Sequence, residues 1–255
     1  MRSGTRGTLS QRGRGSSSLM DALRGACAVL GWMALIAVLL LTALDWVGTN
    51  GELYYQLQMR WNVQPFSGIS DDSLRVLDMA MARYLSGDRA ALQAQGEDET
   101  VCDVIVSVFG ETRPAFHPWE MRHMADCFDL FELLRFVRKL LLLACPVLLF
   151  VGLFARKRFA GAVWVAIALI LIPLGLFGLW AWVDFDSAFT FFHQVLFTND
   201  LWLLNPETDL LIRICPEGMF MDMGLRILAW GIVALLGILV LNTLMSLVLN
   251  RKEKK

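Results

Sequence analysis

An all-α integral membrane protein with four transmembrane helices is the architecture this chain points to, and two observations carry that reading. Hydrophobic residues make up 56% of the 255 and charged residues only 18%, too apolar a balance for an ordinary soluble domain. The apolar residues also gather into runs of the length needed to cross a bilayer, about 20 helical residues at roughly 1.5 Å each. These runs are 26–46, 140–155, 160–183 and 227–249. The second is short, and Arg135, Arg138 and Lys139 can extend it by burying their stems while their charged heads stay at the interface.

Orientation follows from the basic residues. With four spans, the N-terminal segment, the tight turn with Arg156, Lys157 and Arg158, and the C-terminal segment share one side. That side holds twelve basic residues against two acids, Asp21 and Glu253, whereas the other holds eleven against 22. The positive-inside rule then predicts cytoplasmic termini. Residues 1–25 and 250–255 read as basic cytoplasmic tails, the first disordered, flanking one membrane domain over 26–249. Segments 47–139 and 184–226 face the extracytoplasmic side. Trp46, Trp180, Trp182 and Trp230 lie near the outer span ends, as an aromatic belt does. Span one follows a basic tail without a small-residue cleavage pattern, so it reads as an uncleaved anchor.

The outer segments contain further elements. Ser70 or Asp71 caps a helix in which Leu74, Leu77, Met81, Tyr84 and Leu85 recur at three- and four-residue steps, and Gly87 ends it. Residues 88–100 read as an exposed loop, and the β-branched run Val101–Phe109 as a short strand. From Pro118 a helical pattern runs towards span two. Asn205-Pro206 reads as an N-cap with proline at the first helical position, starting a short helix through Ile214. Pro216 stops that helix and can start the one that becomes span four. Five cysteines are present: Cys27 and Cys145 fall in spans, and Cys102, Cys127 and Cys215 outside them. No disulfide framework or zinc-type pair emerges.

The candidate chemistry rests on histidine, the side chain best matched to proton transfer near neutral pH. Of three histidines, His117 precedes a proline in a loop. His123 stands in Glu120-Met121-Arg122-His123-Met124-Ala125-Asp126. On a helix, Glu120, His123 and Asp126 fall at three-residue steps on adjoining parts of one face. A carboxylate there can hold one ring nitrogen and leave the other free to accept a proton. The competing reading is a solvated charged face. His193 opens Phe192-His193-Gln194-Val195-Leu196-Phe197-Thr198-Asn199, and an interfacial or core histidine is its bland alternative. His123, Asp126, His193 and Asp200 are also possible metal ligands, but without a tight ligand spacing.

These two elements resemble the bacterial lipoprotein intramolecular transacylase (Lit) family. The first is His123-Met124-x-Asp126 ahead of span two. The second is Phe192-His193 followed by Phe197, Asn199, Trp202, Asn205-Pro206, Asp209-Leu210, Pro216 and Phe220. The four-span plan with a large loop between spans one and two completes the likeness, which runs from span one to span four. It implies an acyltransferase of the bacterial cytoplasmic membrane with its active site facing the extracytoplasmic side. The enzyme moves an O-acyl chain of a diacylglyceryl-cysteine lipoprotein to that cysteine's α-amino group, leaving a lyso-form lipoprotein. The implied partners are that lipoprotein and membrane lipid, with no nucleic acid, no cofactor and no metal, and the oligomeric state is left open.

The family's catalytic histidines map to His123 and His193. The reaction needs an amine deprotonated, an oxyanion stabilised and an alkoxide reprotonated, and holding nucleophile and ester in one molecule supplies much of the rate. We expect His123 to act as base, oriented by Asp126 or Glu120, and His193 to polarise the carbonyl or protonate the leaving oxygen, with the roles exchangeable. Arg122, Tyr84, Asn199 and Trp202 are candidate substrate-lining residues. A non-enzymatic sensor or assembly partner and a metal-dependent membrane hydrolase are the alternatives. A transporter fits less well, because no span carries a charge at its centre.

Overall fold

The computed structural model describes residues 6–93, 98, 100–155 and 158–251. The ends of both basic tails, Arg156 and Lys157 of the turn, and five residues of the 88–100 loop lie outside this description. Among the described residues nine α-helices follow in chain order: α1 Arg6–Gly48, α2 Gly51–Arg60, α3 Gln64–Ser67, α4 Asp71–Leu85, α5 Pro118–Leu153, α6 Phe159–Val183, α7 Phe185–Leu196, α8 Leu210–Ile214 and α9 Glu217–Arg251. Strands β1 Ile105–Val108 and β2 Glu111–Pro114 form an antiparallel hairpin, Val106 opposite Arg113. Helices α1, α5, α6 and α9 are each long and apolar enough to cross a membrane.

Helix α1 is helical from Arg6 rather than from residue 26. No proline interrupts residues 6–25, and extending a formed helix costs far less than nucleating one. In α4, Ser70 accepts the N–H of Ser73 as its cap, and Gly87 takes φ +117° just beyond the C-terminus, as its sequence signals indicate. The strand expected over 101–109 is confined to four residues. Asn205-Pro206 does not begin a helix. Asn205 N–H is held by Asp209 Oδ2 at 2.9 Å and Glu207 N–H by Asn205 Oδ1 at 2.9 Å, which fixes a turn, and Asp209 becomes the N-cap of α8. Helix α9 does begin directly after Pro216.

The chain divides into two compact units. The first comprises residues up to Leu40, Arg138–Leu176 and those from Gly231 onward. Trp32 stacks obliquely on Phe159 at 5.6 Å, within a core that includes Ala28, Ile36, Ala162, Val163, Ala166 and Ile238. Backbones approach closely here: a Cβ on Gly152 would lie 2.7 Å from Ala28 Cα, and one on Gly31 would lie 2.9 Å from Leu149 N. Small residues at helix crossings are the usual means of association within lipid.

The second unit, Leu41–Val137 with Phe177–Trp230, has a larger core. Helix α4 contributes Leu74, Leu77, Met81, Tyr84 and Leu85, and α2 contributes Leu53, Tyr54 and Leu57. The hairpin supplies Val106 and Val108, and α5 supplies Met121, Met124 and Phe128. Arg135, 14% exposed, pairs with Asp45 at 3.2 Å and Glu132 at 2.7 Å.

Candidate active site

Residues 118–139 of α5 carry eight charged side chains, so the apolar part of that helix begins at Leu140 and His123 stands well before it. His193 sits on α7, whose N-terminus is capped by Asp184 accepting the N–H of Ser187. On α7 the residues Phe185, Ala188, Phe189, Phe192, His193 and Leu196 recur at three- and four-residue steps. That periodicity is the signal for a helix the sequence reading missed, because it merges with the end of span three.

The two helices bring the histidines together. Their ring centroids are 6.1 Å apart at an interplanar angle of 38°. Both rings are enclosed, His123 8% and His193 7% exposed. The walls are aromatic: Phe197 lies 5.4 Å from His123 and 5.6 Å from His193, while Phe189 and Trp202 lie 3.9 Å and 4.9 Å from His193. Tight burial of this kind disfavours a charged imidazole, and it holds His193 below the ordinary histidine value.

The nitrogens are treated differently. His193 Nδ1 lies 2.7 Å from the carbonyl oxygen of Phe189, one turn earlier. A carbonyl only accepts, so Nδ1 carries the hydrogen and Nε2 keeps its lone pair. His123 Nε2 lies 3.7 Å from Cys127 Sγ. Its Nδ1 is buried and has no hydrogen-bond partner among the described residues.

Neither carboxylate expected to orient His123 hydrogen-bonds to it. Glu120 is fully buried, and its two oxygens accept the backbone N–H of His117 at 2.8 Å and of Leu211 at 2.7 Å. It thereby ties the start of α5 to the start of α8. Asp126 Oδ2 accepts from Asn199 Nδ2 at 2.9 Å, which fastens the chain after α7 to α5. Among the candidate lining residues, Trp202 walls the pair directly and Asn199 anchors its cover. Arg122 is exposed. Tyr84 belongs to the core, fully buried and edge-on to Phe128 at 5.3 Å.

Among the described residues, His117, Glu120 and Asp209 bring metal-type ligand atoms within 4.8 Å of one another. Their carboxylates are already engaged: Asp209 accepts from Thr208 Oγ1 at 2.7 Å and from Asn205 N at 2.9 Å. An ion there would compete with four hydrogen bonds. The ring of His117 stacks on Trp119 at 4.6 Å.

Two enclosed imidazoles from separate helices, one with a fixed tautomer, make an arrangement chemically suited to proton transfer. The family model "Lipoprotein intramolecular transacylase Lit" matches residues 29–220. The chain belongs to this family. The fold agrees with solved structures of the membrane integral lipoprotein intramolecular transacylase Lit from Bacillus cereus. One is 17% identical with a TM-score of 0.61, over 93% of this chain and 97% of that one. Two variants of it, with a histidine replaced by arginine or by alanine, give TM-scores of 0.65 and 0.58 at 17% and 18% identity. These cover 96% and 97% of this chain and 98% and 99% of theirs. No curated protein matches the chain. As a Lit family member it is a multi-pass membrane protein, and the paired His elements of the sequence lie within the matched range.

Proposed function

We propose that this chain transfers an O-acyl chain of a diacylglyceryl-cysteine to the α-amino group of the same cysteine. The reaction takes place at the extracytoplasmic face of the bacterial cytoplasmic membrane, with His123 and His193 as the catalytic pair. The observation that carries this reading is the convergence of two enclosed imidazoles, 6.1 Å apart, in a chain of the Lit family. The outward orientation is supported by the excess of basic residues on the opposite side.

His193 is the general base. Its Nε2 lone pair takes the proton as the substrate amine attacks the ester carbonyl carbon and the N–C bond forms. The carbonyl oxygen becomes an oxyanion, which His123 stabilises by donating a hydrogen bond. Collapse breaks the C–O bond, and the proton held on His193 passes to the departing glyceryl oxygen. Proton and acyl group both stay within the substrate, so no co-reactant and no enzyme nucleophile are required. Aromatic walls at Phe189, Phe197 and Trp202 keep the reacting atoms dry, where such dipoles act most strongly.

Mass spectrometry of lipoprotein N-terminal peptides tests this in a bacterial host that gains the gene. Lyso-form peptides with an N-acyl chain are expected. Unchanged diacylglyceryl-cysteines with free amines, in cells that make the protein well, would overturn the reading.

A further inference from the structure

We propose that the thiol of Cys127 holds the single hydrogen of neutral His123 on Nδ1, making Cys127 a positioning residue of the catalytic pair. The inference rests on the transacylase reading above. Cys127 lies four residues after His123 on α5, so both share one face of the helix. Its Sγ is 3.7 Å from His123 Nε2, within range of a sulfur hydrogen bond. A thiol packed against an apolar core stays protonated near neutral pH and donates, and Cys127 packs against the core of the second unit. With Nε2 accepting from sulfur, the imidazole hydrogen falls on Nδ1.

That assignment explains the rest of the geometry. Nδ1 is buried and without a partner among the described residues, so its N–H is a donor held dry for an oxygen that arrives with the substrate. His193 is set the other way, its Nδ1 hydrogen bonded to the Phe189 carbonyl and its Nε2 free. One ring therefore offers a hydrogen to the developing oxyanion while the other offers a lone pair to the amine. The neighbouring carboxylates do not set the tautomer, because Glu120 is bonded to two backbone N–H groups and Asp126 to Asn199.

The full-length protein in detergent micelles, with ¹⁵N-labelled imidazoles, tests this, and three histidines make the spectrum assignable. Long-range ¹H–¹⁵N spectra should show His123 with its hydrogen on Nδ1. In Cys127→Ala a population with the hydrogen on Nε2 should appear, with kcat about tenfold or more lower, the usual cost of losing a partner that orients a working imidazole. KM should hardly move. Cys127→Ser, which keeps a donor, should restore the Nδ1 form and part of the rate. An Nε2 hydrogen on His123 in the unsubstituted protein overturns the proposal, as does an unchanged tautomer in a folded Cys127→Ala protein. If Cys127→Ala does not fold, the unsubstituted tautomer and the serine variant decide. A protein with the expected tautomer that forms no N-acyl product contradicts the transacylase reading instead, so the two failures are separable.

Discussion

The two units of this molecule solve packing in opposite ways. In the first, Trp32, Phe159 and Ile238 pack with alanines, and Asn242, the buried polar side chain described there, gives its amide to the Ala160 carbonyl at 3.3 Å. Lipid is as apolar as leucine, so helices gain little by burying leucine against each other and associate through close approach at small residues. In the second unit a core of leucine, methionine and aromatic residues encloses Asp78, Glu120, His123, His193, Asp209 and Arg213. Buried polar groups cost stability unless they are bonded. Glu120 is bonded to two helix starts and Asp209 to the turn at Asn205, whereas His123 keeps one nitrogen unspent. The contrast teaches where to look for chemistry: in the unit that tolerates polar burial.

Substitutions at each type of contact can break this contrast. The largest effect on stability is expected at Glu120. Glu120→Ala leaves the buried N–H of Leu211 and the half-buried N–H of His117 without their acceptors, and a buried group so left costs about 1–3 kcal/mol. The thermal midpoint in detergent should fall steeply, and by less in Glu120→Gln, which keeps one oxygen. An unchanged midpoint in Glu120→Ala would remove the idea that buried polar groups organise the second unit.

Asp78 should behave in the opposite sense. It is fully buried beside Gln58, and burial pushes its carboxyl from 3.8 up to about 8. The folded protein therefore holds a proton there that the unfolded chain has lost between these values. Stability should fall as pH rises from about 4 to 8 and level off above, by up to about 4 kcal/mol at pH 7. Asp78→Asn should raise the midpoint at pH 7 and flatten its pH dependence, read from melting curves across that range. In the first unit, Gly152→Val places a side chain against Ala28 and should cost about 1–3 kcal/mol through overpacking. The same melting assay checks this, and a neutral result would show that close approach is not what holds that unit together.

Much of the fold was legible because its signals are local. Apolar runs gave the four spans, Ser70 and Gly87 bounded α4, and Pro216 announced α9. What stayed hidden depends on contacts distant in sequence. Glu120 lies on the expected face of α5 beside His123, yet its oxygens take the N–H groups of His117 and of distant Leu211, and nothing at residues 117–126 reveals the second. Asp126 similarly turns to Asn199. Helix α7 was hidden because apolar residues on both sides of Asp184 blurred its start. Tyr84 shows the converse: a core position of an amphipathic helix looks like a candidate for substrate contact until its burial is known. The pairing of His123 and His193 was implied by the family resemblance, but the tautomer of His193 was not, since a backbone carbonyl leaves no trace in sequence.

We infer that the two imidazoles work as one unit, with His193 as the base. Single-turnover transfer on a diacylglyceryl-cysteinyl peptide in lipid bicelles tests it most directly, followed against pH for the unsubstituted protein, His123→Ala, His193→Ala and the double variant. Each single variant should lose about 10²–10⁴-fold in rate, and the double variant should be no slower than the worse single one. Because burial holds His193 below the ordinary histidine value, the unsubstituted rate, divided by the fraction of substrate amine that is uncharged, should persist below pH ~6.5 and fall only in more acid solution. A single variant that keeps the full rate, or an amine-corrected rate already halved at or above that pH, would overturn the shared role of the two rings.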